Sequence, residues 1–324
     1  MERVARINET GGPEVIEFVA LELGAPGPGE VQVRHAACGL NFIDVYYRSG
    51  LYPQPLPGRL GLEAAGTIEA VGAGVTDLQV GDRVAYGWGP LGAYATARNL
   101  PASTVVRLPR RITFDTAAAM MLQGLTAQYL LRRTYRVQPG DTLLFHAAAG
   151  GVGLIVCQWA KALGATVIGT VGSEDKAALA KAHGCDHVIN YRHENVAARV
   201  RELTEGRGVP VVYDGVGKDT FESSLDSLAR FGLMVSFGNA SGPVPPFALT
   251  ELTRRGSLYI TRPSLMHYIE LRADLEAMAA ELFEVVGSGQ VRIDVRQRYA
   301  LSDVAQAHRD LEARRTTGST ILIP

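Results

Sequence analysis

The chain has 324 residues, which at roughly 100–200 residues per domain leaves room for two. Apolar residues make up 47%, charged residues 20%, and the net charge is −1, a globular composition with ample core material and no Lys/Arg tract, so no nucleic-acid partner is expected. Three widely spaced cysteines, Cys38, Cys157 and Cys185, with no C-x-x-C, argue against a disulfide framework and a closed structural zinc site.

The N-terminal segment MERVARINETGGPEVIEF has no apolar stretch of signal-peptide type. No window approaches about 18 uninterrupted apolar residues, so no membrane span is expected. With the reduced cysteines, this makes the cytoplasm the expected compartment. The first third reads as β-structure. Residues 30–38, 64–72 and 81–87 are short, carry β-branched residues and are bounded by Gly, Pro and Asp. The loop 51-LYPQPLPGRLG-61 has three prolines and two glycines and is not expected to be regular.

From about Phe114 the pattern changes. Residues 115–135 are helical in composition, with Asp115 as the expected N-cap. Apolar strands at 142–148, 165–171, 187–190, 209–217 and 231–239 then alternate with helices, including 152–164 and 173–184. Such alternation implies a parallel sheet covered by helices on both faces. A helix at 269–287 closes the block, a strand-like segment follows at 291–303, and a short helix spans 303–315. The architecture expected is α/β: a β-rich domain (1–115 plus 290–324) split around a doubly wound Rossmann domain (116–289).

The stretch 146-HAAAGGVGLIVCQWAK-161 joins the first apolar strand to a helix. Read as a dinucleotide turn, it has Ala148 where the first glycine of G-x-G-x-x-G would stand. Ala148 suits the turn if its φ is negative, and Gly150, Gly151 and Gly153 supply close approach and packing. The free N–H groups of Ala149 to Gly153, Val152 included, would then face the phosphates at the positive end of the helix. A tight turn with no ligand is the bland alternative. The second strand ends 170-TVGS-173, with no acid at Val171 or Gly172 and with Lys176 one turn on. An uncharged strand end beside a cation favours the 2′-phosphate of NADPH. Open against it is a solvated Lys176, with Glu174 or Asp175 on the ribose of NADH.

Residues 140-GDTLLFHAAAGGVGLIVCQWAK-161 resemble the quinone oxidoreductase/ζ-crystallin signature, matching it at Gly140, Asp141, Leu144, Ala148, Ala149, Gly150, Gly151, Gly153, Gln158 and Lys161. Residues 27–53, 80–86, 186–191 and 312–324 look like the same family, within the medium-chain dehydrogenase/reductase superfamily. The resemblance implies a GroES-like catalytic domain, a Rossmann domain and a cleft between them. Where the zinc-dependent branch carries a ligand Cys and a Gly-His-Glu, this chain has Asn41 and Leu62. A catalytic zinc needs about three protein ligands, so no metal is expected. Without a Lewis acid, an acceptor such as a quinone or a conjugated enone is favoured over an alcohol.

By resemblance, Asn41, Asp44, Tyr46 and Tyr52 face the nicotinamide side of the cleft. Their alternatives are packing for the tyrosines and a turn role for Asn41. Gln123 and Thr126 pass near the nicotinamide, or are simply helix interior. Gly172, Ser173, Lys176 and Tyr191 surround the adenosine ribose, and Gly238 and Asn239 approach the nicotinamide half. Arg314 matches the family's C-terminal arginine, with Arg315 beside it as a competing assignment. His146, Cys38 and Cys157 read as packing residues. The activity implied is NADPH-dependent reduction of a quinone. The rivals are reduction of α,β-unsaturated carbonyls and, from another class, a ζ-crystallin-like structural or RNA-binding role. An apolar strand at 257–263 would end the sheet, and a homodimer through that edge is expected.

Overall fold

The computed structural model describes all residues 1–324. Two compact units emerge: Met1–Leu125 with Ile269–Gly287 and Ile293–Pro324, and Thr126–Tyr268 with Ser288–Arg292.

The first unit is built on a β-sheet. Across it run Val295–Ala300, Ser319–Ile323, Glu30–Leu40, Ala64–Val71, Arg83–Tyr86 and Val106–Arg107, with Ala97–Pro101 paired to Glu30–Leu40 off that path. In the strand Glu30–Leu40, Val31 and Val33 point inward while Arg34 stays exposed, the period-2 signature of a half-covered sheet. From Ala37 onward both faces are covered, and Ala37, Cys38 and Leu40 are all buried. Buried Ile7, Leu60, Ile68, Tyr86, Tyr94 and Leu100 share one core with this strand, each large side chain contributing roughly 1.5–3 kcal/mol.

Three features of this unit differ from expectation. The helix after Ile112 is capped by Thr113, whose side chain accepts the Thr116 N–H; Asp115 lies in the first turn and pairs with Arg298. That helix also stops at Ala118 and restarts as Met121–Tyr129. The Ala119 carbonyl at this break lies 2.9 Å from Ser319 Oγ on the C-terminal strand, within hydrogen-bond reach. Finally, the helix Arg272–Gly287, expected in the Rossmann block, groups with the first unit. Arg272 Nη1 donates to the carbonyls of Ser103 (3.0 Å) and Val105 (2.5 Å), and Leu282 packs directly on Gly124.

The second unit has a six-stranded, wholly parallel sheet. In order across it lie His187–Asn190, Thr166–Val171, Thr142–Phe145, Val209–Asp214, Leu228–Ser236 and Tyr259–Thr261. Numbered along the chain this is 3-2-1-4-5-6, the doubly wound order whose direction reverses between the first and fourth strands. Leu144, Ile168, Ile189, Val212 and Met234 form the apolar interior with Phe221 and Leu225. The expected strand at 257–263 is three residues long and does form the sheet edge.

Candidate active site

The first strand of the parallel sheet ends at Phe145 and the chain turns sharply. Ala147, not Ala148, carries the strain: its φ is 57°, while the Ala148 N–H is tied to the Thr170 carbonyl at 3.0 Å. Gly150 is extended (φ −80°, ψ 174°) and caps the helix Gly151–Ala162. The helical ladder begins with Leu154 N–H to Gly150 O at 2.9 Å. The N–H groups of Gly151, Val152 and Gly153 therefore have no acceptor within the helix, and no acidic side chain occupies its first turn. That is an anion-binding arrangement at the sheet's reversal point. A Cβ on Gly153 would lie 2.5 Å from Ala147 O and 2.6 Å from Ala148 O, so only glycine lets helix and turn approach this closely.

Beneath the turn lies a buried polar chain that links the first and fourth strands. His146 Nδ1 is 3.0 Å from Thr170 Oγ1, and its Nε2 is 3.0 Å from Ser224 Oγ. Ser224 donates to Asp214 Oδ2 at 2.7 Å, and Asp214 Oδ1 accepts the N–H groups of Val216 and Gly217. Ser224 has one proton and gives it to Asp214, so His146 Nε2 must be the donor and Nδ1 the acceptor. Burial holds the imidazole below its ordinary range, which keeps it neutral. His146 is thus a bonded tie that fixes both strand ends, more than the packing residue expected.

At the end of the second strand, Gly172 leaves room for Tyr191, whose Oη would be 2.4 Å from a Cβ there. Ser173 caps the next helix by accepting the Lys176 N–H at 3.4 Å. Glu174, one of the two acids able to compete for a ribose, instead accepts Asn190 Nδ2 at 2.9 Å. Gly172, Ser173, Lys176 and Tyr191 are therefore brought together with no carboxylate on the strand end itself. On the fifth strand's loop, Gly238 lies so close to Gly215 that a Cβ would be 2.4 Å from its carbonyl. The Asn239 side chain donates to Gly238 O and accepts from Arg262 Nη2, both at 3.0 Å, and Arg262 Nη1 donates to Ser236 O at 2.8 Å. Arg262 organises this loop and was not expected from the sequence. It sits in what reads as an edge strand.

In the first unit the expected residues converge on a buried carboxylate. Glu63, fully buried, accepts Asn41 Nδ2 at 2.6 Å and the Leu122 N–H at 2.9 Å. Asn41 Oδ1 accepts Gln123 Nε2 at 3.1 Å, and Gln123 Oε1 accepts the Ser319 hydroxyl at 2.7 Å. Burial pushes the Glu63 carboxyl up to about 8 against the bonds that favour its charge. Asp44 does not face outward. It is fully buried in the first turn of the helix Phe42–Ser49, accepting the Asn41 N–H at 2.9 Å and the Tyr94 hydroxyl at 2.6 Å. Burial raises it to about 7, and its role here is to cap that helix. Tyr46 is buried and meets the half-buried Tyr52 edge-on, ring centroids 5.1 Å apart. Thr126 is buried on the helix that carries Gln123. Arg315 pairs with Asp310, while Arg314 closes its helix in the left-handed conformation. Glu63 has a signal in sequence, the Gly-x-Glu of 61-GLE-63, in which Leu62 stands in place of a histidine.

The chain as a whole is similar to known proteins. Residues 27–110 match the alcohol dehydrogenase GroES-like domain, and residues 151–283 match the zinc-binding dehydrogenase family. A quinone oxidoreductase of Pseudomonas aeruginosa is 59% identical over 315 residues, 97% of each chain. The chain belongs to the quinone oxidoreductase family. The solved structure of the Escherichia coli quinone oxidoreductase complexed with NADPH superposes with a TM-score of 0.98 at 52% identity, over 100% of both chains. A 2-haloacrylate reductase of a Burkholderia species is 45% identical over 332 residues, 100% of this chain and 99% of that protein. Within this family the chain places an amide at Asn41, bonded to Glu63, and a buried hydrocarbon at Leu62, neither of them a zinc donor.

Proposed function

We propose that this family member is an NADPH-dependent quinone reductase that works without a metal. The observation that carries it is the ligand-ready turn: three free helix N–H groups at the sheet reversal, beside a strand end without an acid, in a chain akin to an enzyme solved with NADPH. NADPH supplies the reducing equivalents. The N–H groups of Gly151, Val152 and Gly153 hold the pyrophosphate, with Ala149 beside them and Gly150, whose own N–H is taken by the Ala147 carbonyl at 2.9 Å, as the cap. Ser173, Lys176 and Tyr191 around Gly172 take the 2′-phosphate, by charge and by hydroxyl hydrogen bonds. Gly238 and Asn239 line the nicotinamide half, Arg314 answers the cofactor's charge, and Gln123 and Thr126 orient the nicotinamide. Asn41, Tyr46 and Tyr52 offer amide and phenol donors to a quinone oxygen. Catalysis then comes mainly from orientation and exclusion of water.

A second reading, reduction of a conjugated double bond, draws support from the similarity to 2-haloacrylate reductase. Oxidation of NADPH and NADH is to be followed with a quinone, an enone and an aldehyde, with and without chelator. Turnover of the quinone with NADPH, untouched by chelator, is the expected result. A preference for NADH, or activity lost on chelation, would refute it, and enone turnover outpacing quinone would favour the second reading. The partner proposed is a second copy, through the edge strand Tyr259–Thr261, where Tyr259 is 61% exposed; a monomer on size-exclusion chromatography refutes that. The cytoplasm, which maintains NADPH and the thiol state of three free cysteines, is the compartment proposed.

A further inference from the structure

The buried chain Glu63–Asn41–Gln123–Ser319 has a property that its individual bonds do not show. Each amide in it can point either way, because an amide offers a donor at one end and an acceptor at the other. With Glu63 ionised, every donor points toward the carboxylate: Ser319 Oγ–H to Gln123 Oε1, Gln123 Nε2 to Asn41 Oδ1, Asn41 Nδ2 to Glu63. With a proton on Glu63 the order runs the other way. The acid O–H donates to the Asn41 carbonyl, the Asn41 amide N–H to the Gln123 carbonyl, and the Gln123 N–H to Ser319 Oγ. Ser319 must then give its proton elsewhere, and an acceptor is already in place: the Ala119 carbonyl lies 2.9 Å from its oxygen. The other Glu63 oxygen keeps the Leu122 N–H in both states. Both states keep every link of the chain hydrogen-bonded, so the two directions are close alternatives.

We propose that Glu63 is a positioning residue for the reduction, one whose single proton sets the direction of the Asn41 and Gln123 amides. The consequence lies at Asn41. An amide nitrogen carries two hydrogens and only one is used within the chain. Reversal moves the spare N–H from the Glu63 end of Asn41 to the Gln123 end, which re-aims a donor offered to the acceptor oxygen. This step rests on the proposed role of Asn41 in quinone binding; the reversal itself does not.

The surroundings hold Glu63 in a range where the choice is open. Burial opposes its charge most, and Asp44, from the helix Phe42–Ser49, adds to that, whereas Asn41 and the N–H groups of Leu122 and Met121 favour it. The other titratable groups coupled to it are Cys38 from the strand Glu30–Leu40, Tyr86 from Arg83–Tyr86, and Tyr94; burial holds all three neutral. Asp44 is itself raised by burial, so a pH effect alone does not identify the group.

Glu63→Gln separates the two. Its amide nitrogen must face Asn41, because the Leu122 N–H already occupies the other side, so the variant is locked in the reversed direction at every pH. The test follows the side-chain amide resonances of Asn41 and Gln123 in the full-length protein, without substrate, from about pH 6 to 10. In the wild type both are expected to move together through one transition, and in Glu63→Gln neither moves. Steady-state quinone reduction is expected to show kcat/KM plateaus differing roughly three- to tenfold, the effect of one re-aimed hydrogen bond, and a flat profile in the variant. Ser319→Ala, which cuts the far end, is expected to uncouple the Gln123 resonance from that of Asn41 should Glu63→Gln not fold. Amides that stay fixed across the range in the wild type overturn the proposal, as does a transition that persists in Glu63→Gln, which would assign it to Asp44. Absence of quinone turnover with the amide transition intact refutes the functional reading and leaves the switch standing.

Discussion

The glycines of the turn do two different jobs, and alanine substitution separates them. Alanine at Gly153 places a methyl 2.5 Å from one backbone carbonyl oxygen and 2.6 Å from another. An easy contact needs about 3.5 Å, so helix and turn must part by roughly 1 Å. Neither obstacle is a flexible side chain. Overpacking of this kind costs about 1–3 kcal/mol, which for a unit of this size lowers the melting temperature by roughly 2–10 °C. Alanine at Gly150 meets one oxygen at 3.2 Å, and the backbone there (φ −80°) is open to any residue. Its cost to the fold is under about 1 kcal/mol, the loss of a good cap. An N-cap side chain lies over the free N–H groups, though, where a phosphate must come, so NADPH binding should weaken about tenfold or more. Calorimetric melting and a fluorescence titration with NADPH measure the two effects independently. Gly153→Ala melting with the wild type, or Gly150→Ala binding NADPH at full affinity, would show that the turn does not work this way.

Lys176→Glu should raise the KM for NADPH roughly ten- to a hundredfold and leave that for NADH almost unchanged; equal losses with both cofactors would mean that Lys176 does not read the 2′-phosphate. Glu63 also leaves a trace in stability. Its carboxyl is raised in the folded state to about 8, so the contribution it makes is present below the unfolded carboxylate range and is lost as pH rises through that value. Glu63→Gln, which does not titrate, should therefore gain stability relative to the wild type between about pH 5 and 8, and a constant difference in denaturant titrations over that window contradicts it. All three thiols are buried, and Cys38, which donates to the Ala93 carbonyl at 3.0 Å, is pushed up to about 12. Iodoacetamide should label none of them in the native protein and all three in denaturant; fast native labelling of Cys38 would show that its site opens.

Sequence made the parallel sheet and its turn legible because both depend on local pattern. Apolar runs of strand length, separated by amphipathic helices, admit few arrangements other than a doubly wound sheet, and the turn sits where its strand ends. What stayed hidden depends on distant partners. Asp115 and Thr113 are both acceptable cap residues, and only the geometry after Ile112 selects Thr113. The helix break at Ala119 falls in an Ala-Met-Met run with no breaker, and the side chain within hydrogen-bond reach of its carbonyl, Ser319, lies two hundred residues away. Arg262 reads as an edge-strand residue until its guanidinium is found holding Asn239 and Ser236.

The zinc positions carry the last step. Sequence showed which ligands were missing, and that alone leads to the expectation of no metal. The structure shows what the replacement builds. Asn41 turns its amide onto Glu63, a fully buried carboxyl, and the amide links it through a chain of neutral hydrogen bonds to Gln123 and Ser319. A fully buried acid without a counter-ion is costly unless hydrogen bonds or a proton offset its charge. Here the Asn41 amide and the Leu122 N–H supply hydrogen bonds to the acid, in an ordered polar core that contains neither a thiolate nor an imidazole at Asn41 and Leu62.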